Sequence, residues 1–487
     1  MARFSPSNPY GPSHAIKGLP EFCRVVASIR PEPSSEITIE VWLPVSGWNR
    51  NYRGQGNGGF GGSIDYDSMA AAIAQGYTTA GTDTGHQGRP IDASWALNRP
   101  ARVTDFGYRA VHEMTQKAKA LIEAFYGKPP RHSYFIGCSG GGRQGLMEVQ
   151  RFPRDYDGVL AGAPANFWTH LFAAGMFDAQ TLQTSSASYL PASKIPAISA
   201  AVLASCDSAD GITDGILNDP SKCEFDPATL ICNAADSPTY LTPAQARALR
   251  YIYDGPKDLE GRQIFPGYMR GSESGPQGWA AWITGARPGT SLQSVFATAY
   301  FTYMVFEDPK WDSRTFDLEY STKLADQKTS AILNATDPDL RAFRGGGGKL
   351  VLFHGWSDPA IPPLGTINYY NGVLTVMGKQ DTDSFVRLYL APGVQHCSGG
   401  SGPDSFGQME NLLGRDDPEH SLLLALERWL ETGTPPERII AARYGDDSST
   451  SQTVKLSRPL CPYPSAAKYR GKGDPNEATS FTCGAPN

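Results

Sequence analysis

Two dipeptides far apart in the 487-residue chain carry the residue types needed for acyl transfer: Cys138-Ser139, inside Gly137-Cys138-Ser139-Gly140-Gly141, and His396-Cys397. A serine hydroxyl is a weak nucleophile until a base takes its proton, and imidazole is suited to that task near neutral pH. A disulfide holds its two Cα atoms within roughly 4.4 to 6.8 Å. A bond between the two neighbouring cysteines would therefore set Ser139 and His396 about where proton transfer needs them.

Gly-x-Ser-x-Gly is the nucleophile elbow of α/β-hydrolases, in which small residues let a sharp strand-to-helix turn lift the serine above a sheet. The flanking residues predict that context. Tyr134-Phe135-Ile136 reads as a short buried strand, and Gly141 to Gln150 as a helix stopped by Phe152-Pro153. The same fold uses the chain order Ser, acid, His, so the acid belongs between the two. Asp358 is the candidate, because Lys349-Leu350-Val351-Leu352-Phe353 is a β-rich run leading into His354-Gly355-Trp356-Ser357-Asp358-Pro359. A second such run, Val386 to Leu390, leads to His396. Acid and base thus both follow strands, as loop-borne catalytic groups do in open sheets.

In this arrangement Ser139 is the nucleophile, His396 the base, and Asp358 the group that holds the imidazole tautomer. A developing oxyanion needs two preorganised N–H donors. The backbone of Gly140 supplies one in this expectation, and Gly58 or Gly59, within Gly56-Asn57-Gly58-Gly59-Phe60-Gly61-Gly62, the other. The alternative for that loop is a flexible turn without a catalytic role.

A second cluster lies in Cys206-Asp207-Ser208-Ala209-Asp210-Gly211-Ile212-Thr213-Asp214-Gly215-Ile216. Carboxylates so close repel unless water or a hard cation offsets them, and calcium takes six to eight oxygens. An EF-hand is excluded, because the third position counted from Asp207 or Asp210 is Ala209 or Ile212. A solvated acidic loop and a metal site both remain open on the residues alone.

Cys-Ser, a later Asp and His-Cys, in that order, resemble the tannase and feruloyl esterase family of α/β-hydrolases, which also contains the mono(2-hydroxyethyl) terephthalate hydrolases. The resemblance runs from Leu19-Pro20-Glu21-Phe22-Cys23 to Cys483. It implies Ser139, Asp358 and His396 as the triad and a Cys138–Cys397 disulfide joining their neighbours. It implies a structural Ca²⁺ held by the carboxylates of Asp207, Asp210 and Asp214 and the carbonyls of Ile212 and Ile216, with no organic cofactor. Disulfides Cys206–Cys223 and Cys461–Cys483 follow from the same resemblance, leaving Cys23 and Cys232 as candidate free thiols. The implied activity is hydrolysis of esters of aromatic acids, of hydroxycinnamic or benzoic type, through an acyl-enzyme. Galloyl esters and mono(2-hydroxyethyl) terephthalate are the alternatives on the same triad. A non-catalytic hydrolase-fold protein that binds aromatic ligands is the alternative of another class.

The catalytic pieces fall into two blocks, so residues 1–165 and 345–487 are expected to form the α/β-hydrolase domain and 166–344 an inserted lid carrying the calcium site. That insertion is rich in rings, including Trp279, Trp282, Phe296, Tyr300, Phe301 and Trp311. Most are expected in its core, and a minority to wall an aromatic acyl group. Gly345 to Gly348 reads as a flexible return from lid to core, and Glu419 to Leu430 as a sheet-covering helix. Arg287 is a weak candidate for pairing with a substrate carboxylate, and Ile361 for facing the acyl pocket.

Composition bounds the rest. A net charge of −6 and 40% hydrophobic content fit a large enzyme with a full core and make nucleic acid an unsuitable partner. No apolar run reaches membrane-spanning length. The expected partner is a small aromatic ester, free or attached to plant polysaccharide or polyphenol; oligomeric state is not legible. No Cys-x-x-Cys pair occurs among the eight cysteines, so disulfides are favoured over zinc, and with them an oxidising compartment, secreted or periplasmic. No signal peptide is visible at Met1-Ala2-Arg3-Phe4. Asn334-Ala335-Thr336 is a lone glycosylation sequon, a pattern common by chance.

Overall fold

Near-continuous apolar runs such as Val159-Leu160-Ala161 and Leu350 to Phe353 suit strands covered on both faces, and that is how they fold. The computed structural model describes residues 16–232, 237–409, 417–445 and 453–485. Its main sheet contains β1 (Phe22–Ile29), β2 (Ile37–Pro44), β3 (Asn51–Gln55), β4 (Thr78–Thr82), β5 (His132–Cys138), β6 (Gly158–Gly162), β7 (Lys349–Gly355) and β8 (Val386–Ala391). Their order is β1-β2-β4-β3-β5-β6-β7-β8. β1, β2 and β4 pair antiparallel; from β4 through β8 every pairing is parallel.

Alternation along the central strands divides the core. Phe135, Val159, Leu350 and Leu352 pack on one side with Met114, Ala118 and Val373 of helices Ala110–Tyr126 and Pro363–Met377. Tyr134, Ile136, Leu160, Val351 and Phe353 face the other side and meet Leu426 and Trp429 of helix Leu422–Thr432. The period of two thus gives each strand two buried faces. The expected strands and helices all form, with boundaries shifted by a few residues at most: the post-serine helix is Gly140–Arg151 and the late helix starts after an N-cap, Ser421, that accepts from Leu424 N.

Between β6 and β7 the described chain is helical and irregular, with helices Trp168–Gln183, Leu292–Tyr300 and Leu318–Leu333 among its elements. One ring cluster there, containing Trp168, Phe172, Tyr300 and Phe301, also takes in Phe60, Trp95 and Phe106 from before β5, so the insertion packs directly on the sheet-bearing part. The glycine run is less free than expected. Gly345 ends helix Arg341–Gly345, and Gly348 lies against the Phe343 ring, where a Cβ would come within 2.5 Å of it. No helix among the described residues is long and apolar enough to cross a membrane.

Candidate active site

Ser139 sits between β5 and helix Gly140–Arg151 with φ 63° and ψ −121°. A non-glycine residue in such a conformation costs on the order of 1–3 kcal/mol and persists only where its surroundings enforce it. Here the neighbours enforce it by close approach. A Cβ on Gly137 would lie 2.5 Å from the Gly141 backbone, and one on Gly142 would lie 2.3 Å from the Gly162 carbonyl. Ser139 N donates to Gly162 O at 2.9 Å, while Ser139 O accepts from Arg143 N and Ala165 N.

Asp358 and His396 follow the next parallel strands but one and two, β7 and β8. His396 Nδ1 lies 2.8 Å from Asp358 Oδ2. With the proton on Nδ1, Nε2 is left as an acceptor, the tautomer a base requires. Asp358 is fully buried. Burial opposes its ionisation, but the charge of His396 and hydrogen bonds from His354 and His396 outweigh it and hold the carboxyl well below the usual range. The Ala360 and Ile361 N–H groups donate to its other oxygen, Oδ1, at 2.8 and 3.0 Å.

Cys138 and Cys397 form a disulfide with their Cα atoms 6.1 Å apart, which ties the residue before Ser139 to the residue after His396. Cys206–Cys223 and Cys461–Cys483 are also bonded, and Cys23 and Cys232 are free. All three pairings match the family expectation.

Ser139 and His396 line one cavity of about 450 Å³, together with Gly58, Gly59, Gly140 and Ile361. Gly140 opens the helix, where backbone N–H groups have no intrahelical acceptor and the dipole favours negative charge. A Cβ at Gly140 would come within 2.8 Å of Gly59 O and 3.3 Å of Gly59 N, so only glycine lets the two candidate oxyanion backbones approach so closely. The loop is also fixed in place. Gln144, from the helix that starts after Ser139, accepts from Asn57 N at 2.8 Å and donates to Asn57 Oδ1 at 3.1 Å. The Asn57 amide donates onward to Ser63 O and Thr82 O, which disfavours the flexible-turn alternative.

Aromatic rings form one wall. Trp282 meets His396 edge-on with centroids 5.3 Å apart and runs parallel to Phe296 at 6.2 Å. Both line the cavity, whereas Trp279, Tyr300 and Phe301 are buried in packing, as the majority of the insertion's rings were expected to be. Arg287 is not brought to the site. It lies on the exposed turn Arg287–Thr290, where its backbone bonds to Thr290 Oγ1, and it does not line the cavity.

The chemistry-bearing pattern did not reveal His354, Gln144 or Asn57. His354 Nε2 lies 3.1 Å from Asp358 Oδ2 and 2.9 Å from Ile361 O, and Nδ1 lies 2.8 Å from Thr366 Oγ1. A polar residue at the end of the apolar run Leu350 to Phe353 was the available signal, since buried polar groups must find partners.

In the acidic loop, Asp207 Oδ2 accepts from Gly215 N, Asp210 Oδ1 from Ile212 N and Asp214 Oδ1 from Ile216 N. Asp214 Oδ2 pairs with Arg458 at 2.6 Å. Asp207 Oδ1 is buried without a partner, an arrangement compatible with an oxygen ligand to a hard cation.

The family model described as tannase and feruloyl esterase matches residues 23–484. The chain belongs to the tannase and feruloyl esterase family. It is 38% identical to an uncharacterised esterase of Xanthomonas campestris over 96% of this chain and 85% of that protein. It is 33% identical to a probable feruloyl esterase B-1 of Aspergillus fumigatus over 95% of this chain and 86% of that protein. Among solved structures, feruloyl esterase B from Aspergillus oryzae superposes with a TM-score of 0.90 at 31% identity, covering 99% of this chain and 94% of that chain. Members of the tannase and feruloyl esterase family are carboxylic ester hydrolases, and this chain shares their α/β-hydrolase-like fold.

Proposed function

We propose that the protein is a serine carboxylesterase that cleaves esters of aromatic acids, feruloyl-esterase-like, through an acyl-enzyme on Ser139. The observation that carries this reading is the disulfide between the neighbours of Ser139 and His396, with His396 Nδ1 held on Asp358 in the same cavity. His396 Nε2 takes the Ser139 proton as Oγ bonds to the ester carbonyl carbon. The carbonyl oxygen becomes an oxyanion facing the N–H of Gly140 and of Gly58 or Gly59. Collapse breaks the carbon–alkoxy bond, and His396 gives its proton to the departing alcohol. Water then attacks the acyl carbon with His396 again as base, releasing the acid and restoring Ser139.

The aromatic acyl preference is supported by Trp282 and Phe296 on the wall beside His396. Segment 166–344 serves as the lid in this reading, since it contributes those rings. The loop Asp207 to Ile216 would hold a Ca²⁺ through the three carboxylates and the Ile212 and Ile216 carbonyls, with the partnerless Asp207 Oδ1 as support. When bound, the ion neutralises the carboxylates and braces the insertion. The three disulfides favour a secreted or periplasmic location.

The test is hydrolysis of methyl ferulate, methyl gallate and mono(2-hydroxyethyl) terephthalate by the wild type and Ser139→Ala. Ser139-dependent turnover of the hydroxycinnamate ester is expected; no Ser139-dependent turnover of any ester would leave the binding-protein alternative standing.

A further inference from the structure

The ring-lined cavity carries one buried polar assembly that the acyl-transfer steps do not use. Gln293 lines the cavity beside Phe296, one helical turn away on Leu292–Tyr300. Residues three apart on a helix share a face. Its Nε2 donates to Tyr268 Oη, and Tyr268 Oη in turn donates to Ala360 O at 3.4 Å, next to Ile361. Tyr268 is buried, so the amide is held by a fixed partner. Behind it stands Asp178, also buried, with Oδ1 lacking a partner. Burial pushes the Asp178 carboxyl well above the usual carboxylate range, and hydrogen bonding to Gln293 offsets only part of that.

A primary amide has two donors and an acceptor oxygen. With Nε2 engaged by Tyr268, and no described residue donating to Oε1, the acceptor is open to the cavity. No Lys or Arg lines the cavity among the described residues, and Asp65 is its one acidic side chain. The wall offers a neutral acceptor backed by a buried carboxyl group, with no Lys or Arg among the described residues to neutralise an anion.

We infer that Gln293, oriented by Tyr268 and Asp178, is a specificity-determining residue that accepts a hydrogen bond from a hydroxyl on the ring of the acyl group and disfavours a carboxylate there. This rests on the esterase reading and deepens it. The acyl ring lies along Trp282 and Phe296, which lead from His396 towards Gln293. A site built around a hydrogen bond rejects the analogue lacking it, because its own polar group is then left dry and unpaired.

The experiment compares kcat/KM for methyl 4-hydroxycinnamate, methyl cinnamate and methyl 4-carboxycinnamate, with wild type, Gln293→Leu and Gln293→Met. The wild type should favour the hydroxylated ester over the unsubstituted one by about tenfold, the worth of one net hydrogen bond, and should turn over the carboxylated ester least. Both variants should bring the hydroxyl-to-unsubstituted ratio to within about twofold. Thermal melting checks folding, and the near-isosteric Met variant keeps the test open if Leu unfolds the site. Equal wild-type rates on the first two esters, or an unchanged ratio in a folded Gln293→Met, would overturn the inference and leave the esterase reading intact. Absence of Ser139-dependent turnover of every ester would remove the esterase reading, and this inference with it.

Discussion

His354 and His396 share a single oxygen: Asp358 Oδ2 lies 3.1 Å from His354 Nε2 and 2.8 Å from His396 Nδ1. The first imidazole is fully buried at the end of β7 and is itself oriented by Thr366. In the proposed triad it would fix Asp358 from behind while His396 moves protons in front. His354→Ala should lower kcat by about 10- to 100-fold with little change in KM, since an orienting partner acts on the transition state rather than on substrate binding. His354→Gln, which keeps a donor, should recover part of that loss; steady-state kinetics of the two variants checks it.

The same contacts give a pH signature. The folded-state pKa of Asp358 is depressed: burial works against ionisation, and the His396 charge with both histidine hydrogen bonds overcomes it. A depressed carboxyl contributes stability that is fully present above its unfolded pKa of about 4 and is lost as pH falls towards its native value. Chemical denaturation from pH 6 down to pH 2 should show wild-type stability falling more steeply below about pH 4 than that of Asp358→Asn.

Breaking the Cys138–Cys397 bond by paired alanine substitution should cost about 2–5 kcal/mol in stability and most of the activity, because the link sets the spacing of nucleophile and base. Paired substitution of Cys206 and Cys223 should lower stability while leaving kcat/KM nearly unchanged, since neither cysteine lines the cavity that holds Ser139. Urea unfolding and ester hydrolysis on both double variants separate the two effects.

Gln144→Leu should free the Asn57 loop from the post-serine helix and lower kcat by about 10-fold or more, as expected when an oxyanion donor loses its fixed position. An unchanged kcat would mean that the loop holds its place without that amide.

If the Asp207 to Ile216 loop holds calcium, chelation should lower the melting temperature without changing kcat at 25 °C, and Asp207→Asn should do the same. Elemental analysis of purified protein should find about one calcium per chain.

The strand-turn-helix around Ser139 and the strands that deliver Asp358 and His396, the residues of the proposed triad, were legible because each is a local signal: a small-residue turn, an apolar run, a polar residue just beyond it. The disulfide partners became legible through the family resemblance. What the pattern could not disclose were contacts between segments distant in sequence. His354 could be recognised as buried, but its approach to Asp358 depends on how the loop after β7 turns back. Gln144 meets Asn57 only because β3 pairs beside β5. Arg287 shows the converse: its charge suited a substrate carboxylate, yet the turn closed by Thr290 carries it to the surface.

The most direct measurement is intact-protein mass spectrometry of the enzyme quenched during hydrolysis of methyl ferulate, followed by peptide mapping. A feruloyl adduct is expected on the peptide bearing Ser139, absent from Ser139→Ala along with turnover. Hydrolysis that persists in Ser139→Ala, or an adduct on another residue, would contradict that expectation.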